Sequence, residues 1–353
     1  MRNKLIISIG TLQCGGAERV VSEISSMFCD HFGMVAILTW SDAPVFYDVD
    51  RRVRIVCAES ECGSPSRLSQ ARWVRGFVKK ESPDVFLSFL MPFNMMAIVA
   101  RAFTGTRIVV CERQDPSLVK TPLLRGLRNV LYFFSSRIEV QTTAGKQYFG
   151  NFFRRKTFVI PNPNHITGEQ RASALSSKKE RKIVTIGRLI PQKNHALLLE
   201  AFGVVHTMHP DYRLEIYGDG EMREALQRKV DLCGLNHCVT LCGRTSDVVG
   251  ALAHAQVFVL SSDVEGMPNA LMEAMALGVP CIATDVSGVR DIIDDGENGF
   301  VVPVGNHVVL AEKMLQLIVS EQLRHQFSAA SYSVFEKFDK DHVFKQWLEL
   351  VLF

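Results

Sequence analysis

The apolar positions of this chain fall into short unbroken runs, separated by longer stretches in which they recur every three or four residues. In the first half the runs are "KLIISIG", "MVAILTW", "VRIVCA", "DVFLSFL", "TRIVVCE" and "SRIEVQT". In the second they are "RKIVTIGR", "YRLEIYG", "CVTLCGR", "AQVFVLSS", "VPCIATD" and "NGFVVP". Runs of Val, Ile and Leu without alternation predict strands of a parallel sheet covered on both faces, with the periodic stretches as crossover helices. Two such series predict an α/β chain of two Rossmann-like, doubly wound domains. The most apolar window, "VFLSFLMPFNMMAIVARAFTG", contains Pro92, Asn94 and Arg101. It reads as a strand over 85–90 and a buried helix, not as a membrane span.

The polar stretch "NPNHITGEQRASALSSKKERK" separates the two series and is expected to be a linker centred on 162–180. That sets a first domain at 1–165 and a second at 180–335. The tail "FEKFDKDHVFKQWLELVLF" has helical periodicity and an apolar end, which predicts a helix over about 336–353 packed back on the first domain. A length of 353 residues suits two cores, and 47% hydrophobic with 22% charged residues excludes disordered and membrane-embedded classes. "MRNKLIISIG" offers too few apolar residues before Gly10 to act as a secretory signal. Nine irregularly spaced cysteines point to a reducing compartment, and the spacing of Cys233, Cys238 and Cys242 suits buried thiols better than zinc. The net charge of +3 conceals an asymmetry: residues 1–165 hold 22 Lys and Arg against 13 acids, and the remainder 18 against 24. A basic half is expected to meet something anionic.

The chemistry concentrates at predicted strand-to-helix turns. In "QVFVLSSDVEGMPNALMEAMALGVP", Glu265 falls on the loop after a buried strand and Glu273 inside the following helix, with Pro268 expected at the first helical position and Gly278 at its end. Loops at the carboxyl ends of strands are where open α/β sheets bind ligands, and free amides at helix starts suit a diphosphate. Two acids beside such an anion are better suited to gripping sugar and ribose hydroxyls; as structural residues they would be a capping acid and a surface helix acid. "TIGRLIPQKNHALLLEAF" places Arg188 and Lys193 on a comparable loop, where two cations can hold a diphosphate without a metal. "LEIYGDGEMREAL" gives a tight Gly-Asp-Gly turn, and Arg244 and Asp247 follow the next strand as flanks for a base. In the first half, "SIGTLQCGGAERVVSEIS" puts Gly15 and Gly16 where their amides can approach an anion across an interdomain cleft. It is not a dinucleotide fingerprint, because the G-x-G-x-x-G spacing and the later acid are missing.

Together "GGAER", "GRLIPQKN", "GDGE" and the E-x7-E element Glu265…Glu273 resemble the retaining glycosyltransferases of family 4, over essentially the whole chain. The resemblance implies the GT-B architecture of two facing Rossmann-like domains, the first for an acceptor and the second for a nucleotide sugar. It implies that Arg188 and Lys193 hold the donor diphosphate with help from the Gly16 amide, and that Glu273 binds the ribose. Glu265 and the segment Gly266, Met267 and Asn269 would contact the donor sugar. Many members carry a His on a first-domain loop near that sugar; here the matching stretch "VVCERQDP" puts Arg113 there. Glu112, Arg113 and Asp115, with Glu18 and Arg19 of "GGAER", are left as candidates for the acceptor or sugar side. The resemblance implies a catalytic set of Glu265, Arg188 and Lys193, with no metal and no cofactor expected beyond a UDP-sugar co-substrate. The motif order looks most like bacterial enzymes that add GalNAc, Gal or GlcNAc to polyprenyl-diphosphate-linked glycans in O-antigen or N-glycan assembly, forming an α linkage.

A lipid-linked acceptor is expected to bring the chain to the cytoplasmic face of the bacterial inner membrane as a peripheral protein. "SRLSQARWVRGFVKK" offers Arg72, Arg75 and Lys79 on one face, and "TPLLRGLRNVLYFFSS" offers Arg125 and Arg128 among large apolar residues, for an anionic leaflet or a lipid diphosphate. The alternative is an ordinary sheet-covering helix with a solvated basic face. Nucleic acid is not expected as a partner, because base-stacking aromatics are not interleaved with the basic residues. The rival functions are a UDP-sugar epimerase, which would turn over donor with no acceptor, and a non-catalytic nucleotide-sugar-binding subunit.

Overall fold

The computed structural model describes residues 4–13 and 15–353. The chain divides into two compact units, one ending at Pro163 and completed by Asp341–Phe353, the other spanning Asn164–Lys340.

The first unit is built on β1 (Lys4–Ile9), β2 (Met34–Thr39), β3 (Arg54–Cys57), β4 (Val85–Phe89), β5 (Arg107–Glu112), β6 (Arg137–Val140) and β7 (Thr157–Val159). They form a parallel sheet in the order β3-β2-β1-β4-β5-β6-β7. The sheet reverses its strand order between β1 and β4. Its helices are α1 (Gly16–Phe28), α2 (Ala58–Cys62), α3 (Arg67–Glu81), α4 (Met91–Arg101), α5 (Pro122–Phe133) and α6 (Thr143–Phe153). One core lies around Phe28, Phe89 and Trp347, another around Trp40, Phe86 and Tyr132, as expected for strands buried on both faces. Strand β7 was not expected from the sequence; it is three residues long, at the sheet edge, and too short to register as a run.

The second unit contains α7 (Gly168–Ser176), β8 (Lys182–Ile186), α8 (His195–Met208), β9 (Arg213–Tyr217), α9 (Arg223–Leu232), β10 (Val239–Gly243) and α10 (Val248–Ala253). It continues with β11 (Val257–Leu260), α11 (Asn269–Ala276), β12 (Cys281–Thr284), β13 (Phe300–Val302), α12 (His307–Val319), α13 (Glu321–Ala330) and α14 (Tyr332–Lys337). The sheet is parallel, in the order β10-β9-β8-β11-β12-β13. It therefore reverses between β8 and β11, where two neighbouring strands send their chains to opposite faces and open a ligand crevice.

The expected linker over 162–180 is in large part a helix of the second unit. Thr167 and Gln170 form a capping box at the start of α7. Ala174 is fully buried, and the Arg171 guanidinium, also buried, donates to the carbonyls of Met275 (3.3 Å) and Ala276. Polar composition hid a packed helix whose Arg caps the end of α11. The terminal helix α15 (Lys340–Leu352) starts at Lys340 and not near 336, because the chain breaks after α14 at Phe338, which is buried in the second unit's core. Trp347, Leu350 and Val351 of α15 are buried in the first unit. No helix among the described residues is long and apolar enough to cross a membrane.

Candidate functional site

The loops leaving β8 and β11 meet because their strands are neighbours at the reversal. The Lys193 ammonium sits 2.5 Å from Glu265 Oε1, and the Ser262 hydroxyl donates to the same oxygen at 2.7 Å. Thr284, at the end of β12, donates its hydroxyl to the Ser262 carbonyl at 2.5 Å, which orients Ser262 in turn. Main-chain and side-chain bonds close the seam. Asp263 N donates to the Gln192 carbonyl at 2.8 Å, Ser261 Oγ to the Lys193 carbonyl at 3.1 Å, and Asn194 Nδ2 to Asp263 Oδ1 at 2.8 Å. Asn194 stands in the left-handed region (φ 43°) and caps α8 by accepting from Leu197 N. Lys193 and Glu265 are therefore held as a pair, 72 positions apart in sequence, at the carboxyl ends of adjacent strands.

Pro268 is the N-cap of α11 in an extended conformation, and Asn269 opens the helix, one residue later than expected. Met267 and Pro268 are buried, Gly266 and Asn269 partly exposed, and Glu273 lies half-buried on the second turn. Gly288 (φ 81°), on the loop after β12, sits so close that a Cβ there would come within 2.7 Å of the Gly266 carbonyl oxygen. Arg188 is exposed, and no hydrogen bond or ion pair engages its guanidinium among the described residues. Arg244 is exposed on the next loop, 4.0 Å from Asp219 of the Gly-Asp-Gly turn, and Asp247 caps α10 by accepting from Gly250 N.

His195 opens α8 behind these cations. Burial pulls its imidazole down to about 4, with the Lys193 charge adding to the effect and the nearby backbone of Arg188 and Gly187 opposing it. A base with a lowered folded pKa is neutral in the fold, so its contribution is complete above the unfolded value near 6.5 and is lost as pH falls toward 4. Urea titrations at about pH 7.5 and about pH 5 are expected to differ by about 2 kcal/mol more in the wild type than in His195→Gln. Equal pH dependence in the two proteins would remove His195 from the loop's support.

In the first unit the residues proposed for the acceptor side are placed differently. The Arg113 guanidinium is buried, 2.8 Å from Glu139 Oε1, bonded to Asn162, and lies over the Phe89 and Trp347 rings. Its guanidinium is committed to internal partners: β5 and β6 are adjacent, and Arg113 turns back to Glu139 across them. Burial pushes the Glu139 carboxyl up against the pull of Arg113. Glu112 is buried too and accepts from Tyr132 Oη at 2.7 Å, which in turn accepts from Asn94; burial again raises the carboxyl. Asp115 stays at the surface as a cap for Ser117 N. Arg128 is fully buried, donates to the Pro116 carbonyl and Tyr148 Oη at 3.1 Å each, and stacks on Tyr148 and Phe149; it cannot reach a leaflet. Arg75 caps the end of α4 through the Ala102 carbonyl (3.1 Å), while Arg72, Lys79 and Arg125 are exposed.

Gly15 is the N-cap of α1 and Gly16 its first residue. The Glu18 carboxylate folds over this end, since a Cβ on Gly15 would fall 2.1 Å from Glu18 Oε2, and Arg19 pairs with Glu23 at 3.2 Å. Among the described residues the one group of metal-ligating side chains is His206, His237 and Cys238. His237 and Cys238 precede β10, at the end of that strand opposite to the loops above. Sequence reading missed Ser262 and Thr284, and took Asn194 only as the opening of α8, which it caps; Ser262 carried a signal, three positions before Glu265.

A family model described as "Glycosyl transferases group 1" matches residues 167–334. The chain is 30% identical over 302 residues to the N-acetyl-α-D-glucosaminyl L-malate synthase of Bacillus anthracis, covering 80% of this chain and 78% of that protein. It is 28% identical over 356 residues to a Campylobacter jejuni protein, with coverage of 99% and 98%. That protein is the "GalNAc-alpha-(1->4)-GalNAc-alpha-(1->3)-diNAcBac-PP-undecaprenol alpha-1,4-N-acetyl-D-galactosaminyltransferase". The fold of this chain matches HepE of Anabaena, solved with UDP and glucose, at a TM-score of 0.81 and 18% identity over 98% of each chain. The chain belongs to the group 1 glycosyl transferases and is a glycosyltransferase of the GT-B fold.

Proposed function

We propose that this enzyme transfers GalNAc, Gal or GlcNAc from a UDP-sugar to a glycan carried on a polyprenyl diphosphate, with retention and an α linkage. The observation that carries the reading is the Lys193–Glu265 pair, fixed at the β8/β11 reversal, with Arg188 exposed on the same loop as Lys193. Two cations at the carboxyl ends of strands suit a diphosphate, and the pairing lets an acid stand next to that anion because Lys193 offsets its charge. Glu265 then accepts from a donor-sugar hydroxyl and Glu273 from the ribose, while Arg244 flanks the base. The lipid diphosphate acceptor is taken over from the full-length Campylobacter relative, and UDP from the ligand of the Anabaena structure.

The reaction needs no metal in this reading. The bond from the anomeric carbon to the phosphate oxygen breaks as negative charge grows on UDP, and Arg188, Lys193 and the amide end of α8 stabilise that charge. The acceptor hydroxyl attacks from the face that UDP leaves, its oxygen bonds to the anomeric carbon, and its proton passes to the departing phosphate. Purified enzyme given a panel of UDP-sugars and a synthetic lipid-diphosphate sugar is expected to yield one product heavier by one sugar, undiminished by EDTA. Donor turnover with acceptor omitted, at the rate seen with it, would overturn transfer in favour of epimerisation or hydrolysis. Glu273→Gln is expected to raise the donor KM about tenfold or more, as loss of a charge-assisted hydrogen bond does, with a smaller change in kcat.

A further inference from the structure

Helix α5 is inverted. An amphipathic helix on a soluble unit turns its apolar stripe inward, yet here Arg128 and Tyr132 are the fully buried residues, each at 0% exposure. The outward stripe is Leu123 (82% exposed), Leu127 and Val130 (61%), at the spacing of one helical face, and Phe134 continues it. Phe133 and Phe134 meet edge to face at 5.5 Å, and Phe152 of α6 (75% exposed) lies 6.0 Å from Phe133, so the stripe widens into a continuous aromatic patch. Contiguous exposed apolar surface of this kind marks a binding face.

Charge selects the occupant. Between Pro116 and Ile160 the chain carries eight Lys and Arg and a single acid, Glu139, which is fully buried. Of the basic residues, Lys120, Arg125, Arg154 and Arg155 are exposed on the segments that carry the patch. A two-fold contact between copies of the chain would set this basic rim against itself. An anionic bilayer satisfies both features: acyl chains take the leucines and phenylalanines, and phosphate headgroups take the rim.

We infer that α5 and Phe152 form a docking surface for an anionic lipid bilayer, with the helix lying in the headgroup layer. The inference deepens the lipid-linked acceptor reading above, on which it rests for its purpose though not for its chemistry. It replaces Arg128 and Arg75, both committed to internal bonds, with an apolar wedge as the main contact.

The test uses the full-length protein and sedimentation with vesicles of phosphatidylcholine, alone or mixed with phosphatidylglycerol. Wild type is expected to bind the mixed vesicles and to bind the neutral ones far less. Leu127→Gln combined with Val130→Gln should lower the partition coefficient about a hundredfold, at about tenfold per apolar side chain withdrawn from lipid. Arg154→Gln combined with Arg155→Gln should lower it about 25-fold, on anionic vesicles only. With a short-chain, water-soluble acceptor the apolar double variant should keep wild-type kcat/KM, which separates docking from folding and catalysis. Vesicle binding without any transfer by the wild type would count against the acceptor reading while supporting the surface. Unchanged partition of the apolar variant would overturn the inference. So would a lipid-free dimer, seen by light scattering, that those substitutions dissociate.

Discussion

Lys193→Ala is expected to lower kcat/KM by about 10²- to 10³-fold, the loss typical when one preorganised charge stabiliser is removed from a reacting oxyanion. The change removes positive charge from the position where UDP becomes an anion, and water in the vacated space is a poor substitute because it must reorient during the reaction. Stability responds differently. Glu265 is left with only the Ser262 hydroxyl as an observed partner, and its side chain is 10% exposed, so the alanine variant also carries a poorly compensated carboxylate. Adding Glu265→Gln should restore the thermal midpoint without restoring turnover. Arg188→Ala should lower kcat/KM to a similar degree with no change in midpoint, because that side chain is exposed. Steady-state kinetics and a melting curve on the four proteins decide it, and near-normal kcat/KM in Lys193→Ala would remove the pair from the chemistry.

The strands were legible because parallel-sheet strands are apolar on both faces, and "QVFVLSS" or "RKIVTIGR" has few other ways to fold. The positions of Arg188, Lys193 and Glu265 at strand ends, and of Glu273 inside the helix that follows, were legible for the same reason: a strand run followed by a helix pattern locates the loop between them. What joins the loops was not. The bonds from Asp263 to Gln192 and from Ser261 to Lys193 end on backbone carbonyls, which leave no trace in side-chain identity. Charged residues misled where burial decides their role. Arg113 and Arg128 look like solvated or ligand-facing cations in sequence, and only the register of β5 against β6, or the packing of α5, shows them turned inward. The polar stretch after Pro163 misled in the same direction, since Thr167 and Gln170 belong to a helix cap and Arg171 to a buried contact.

Gly218→Ala should destabilise the second unit by about 3 kcal/mol or more, in the range reserved for strained backbone and overpacked sites. A Cβ at this position would lie 1.8 Å from the Gly187 carbonyl oxygen and 2.9 Å from its carbon, with φ at 149°, where side-chain-bearing residues seldom sit. Both obstacles are backbone, so no side chain can swing aside to relieve them. They are pinned from both directions. Gly187 N donates to the Tyr217 carbonyl at 2.9 Å, Gly218 N to the Gly243 carbonyl at 2.7 Å, and Leu189 N to the Asp219 carbonyl at 3.0 Å. Relief therefore means parting the loop that carries Arg188 and Lys193 from the Gly-Asp-Gly turn. The expected result is a melting midpoint lower by roughly 6–12 °C for a unit of this size, and depressed turnover even where the protein remains folded. Gly234→Ala is the control: its φ is 68°, but nothing lies within 4 Å of the added Cβ. It should show only the left-handed penalty, about 1 kcal/mol, with normal turnover. If the two variants melted alike and both stayed active, the close backbone approach at Gly218 would have no part in holding the diphosphate loop.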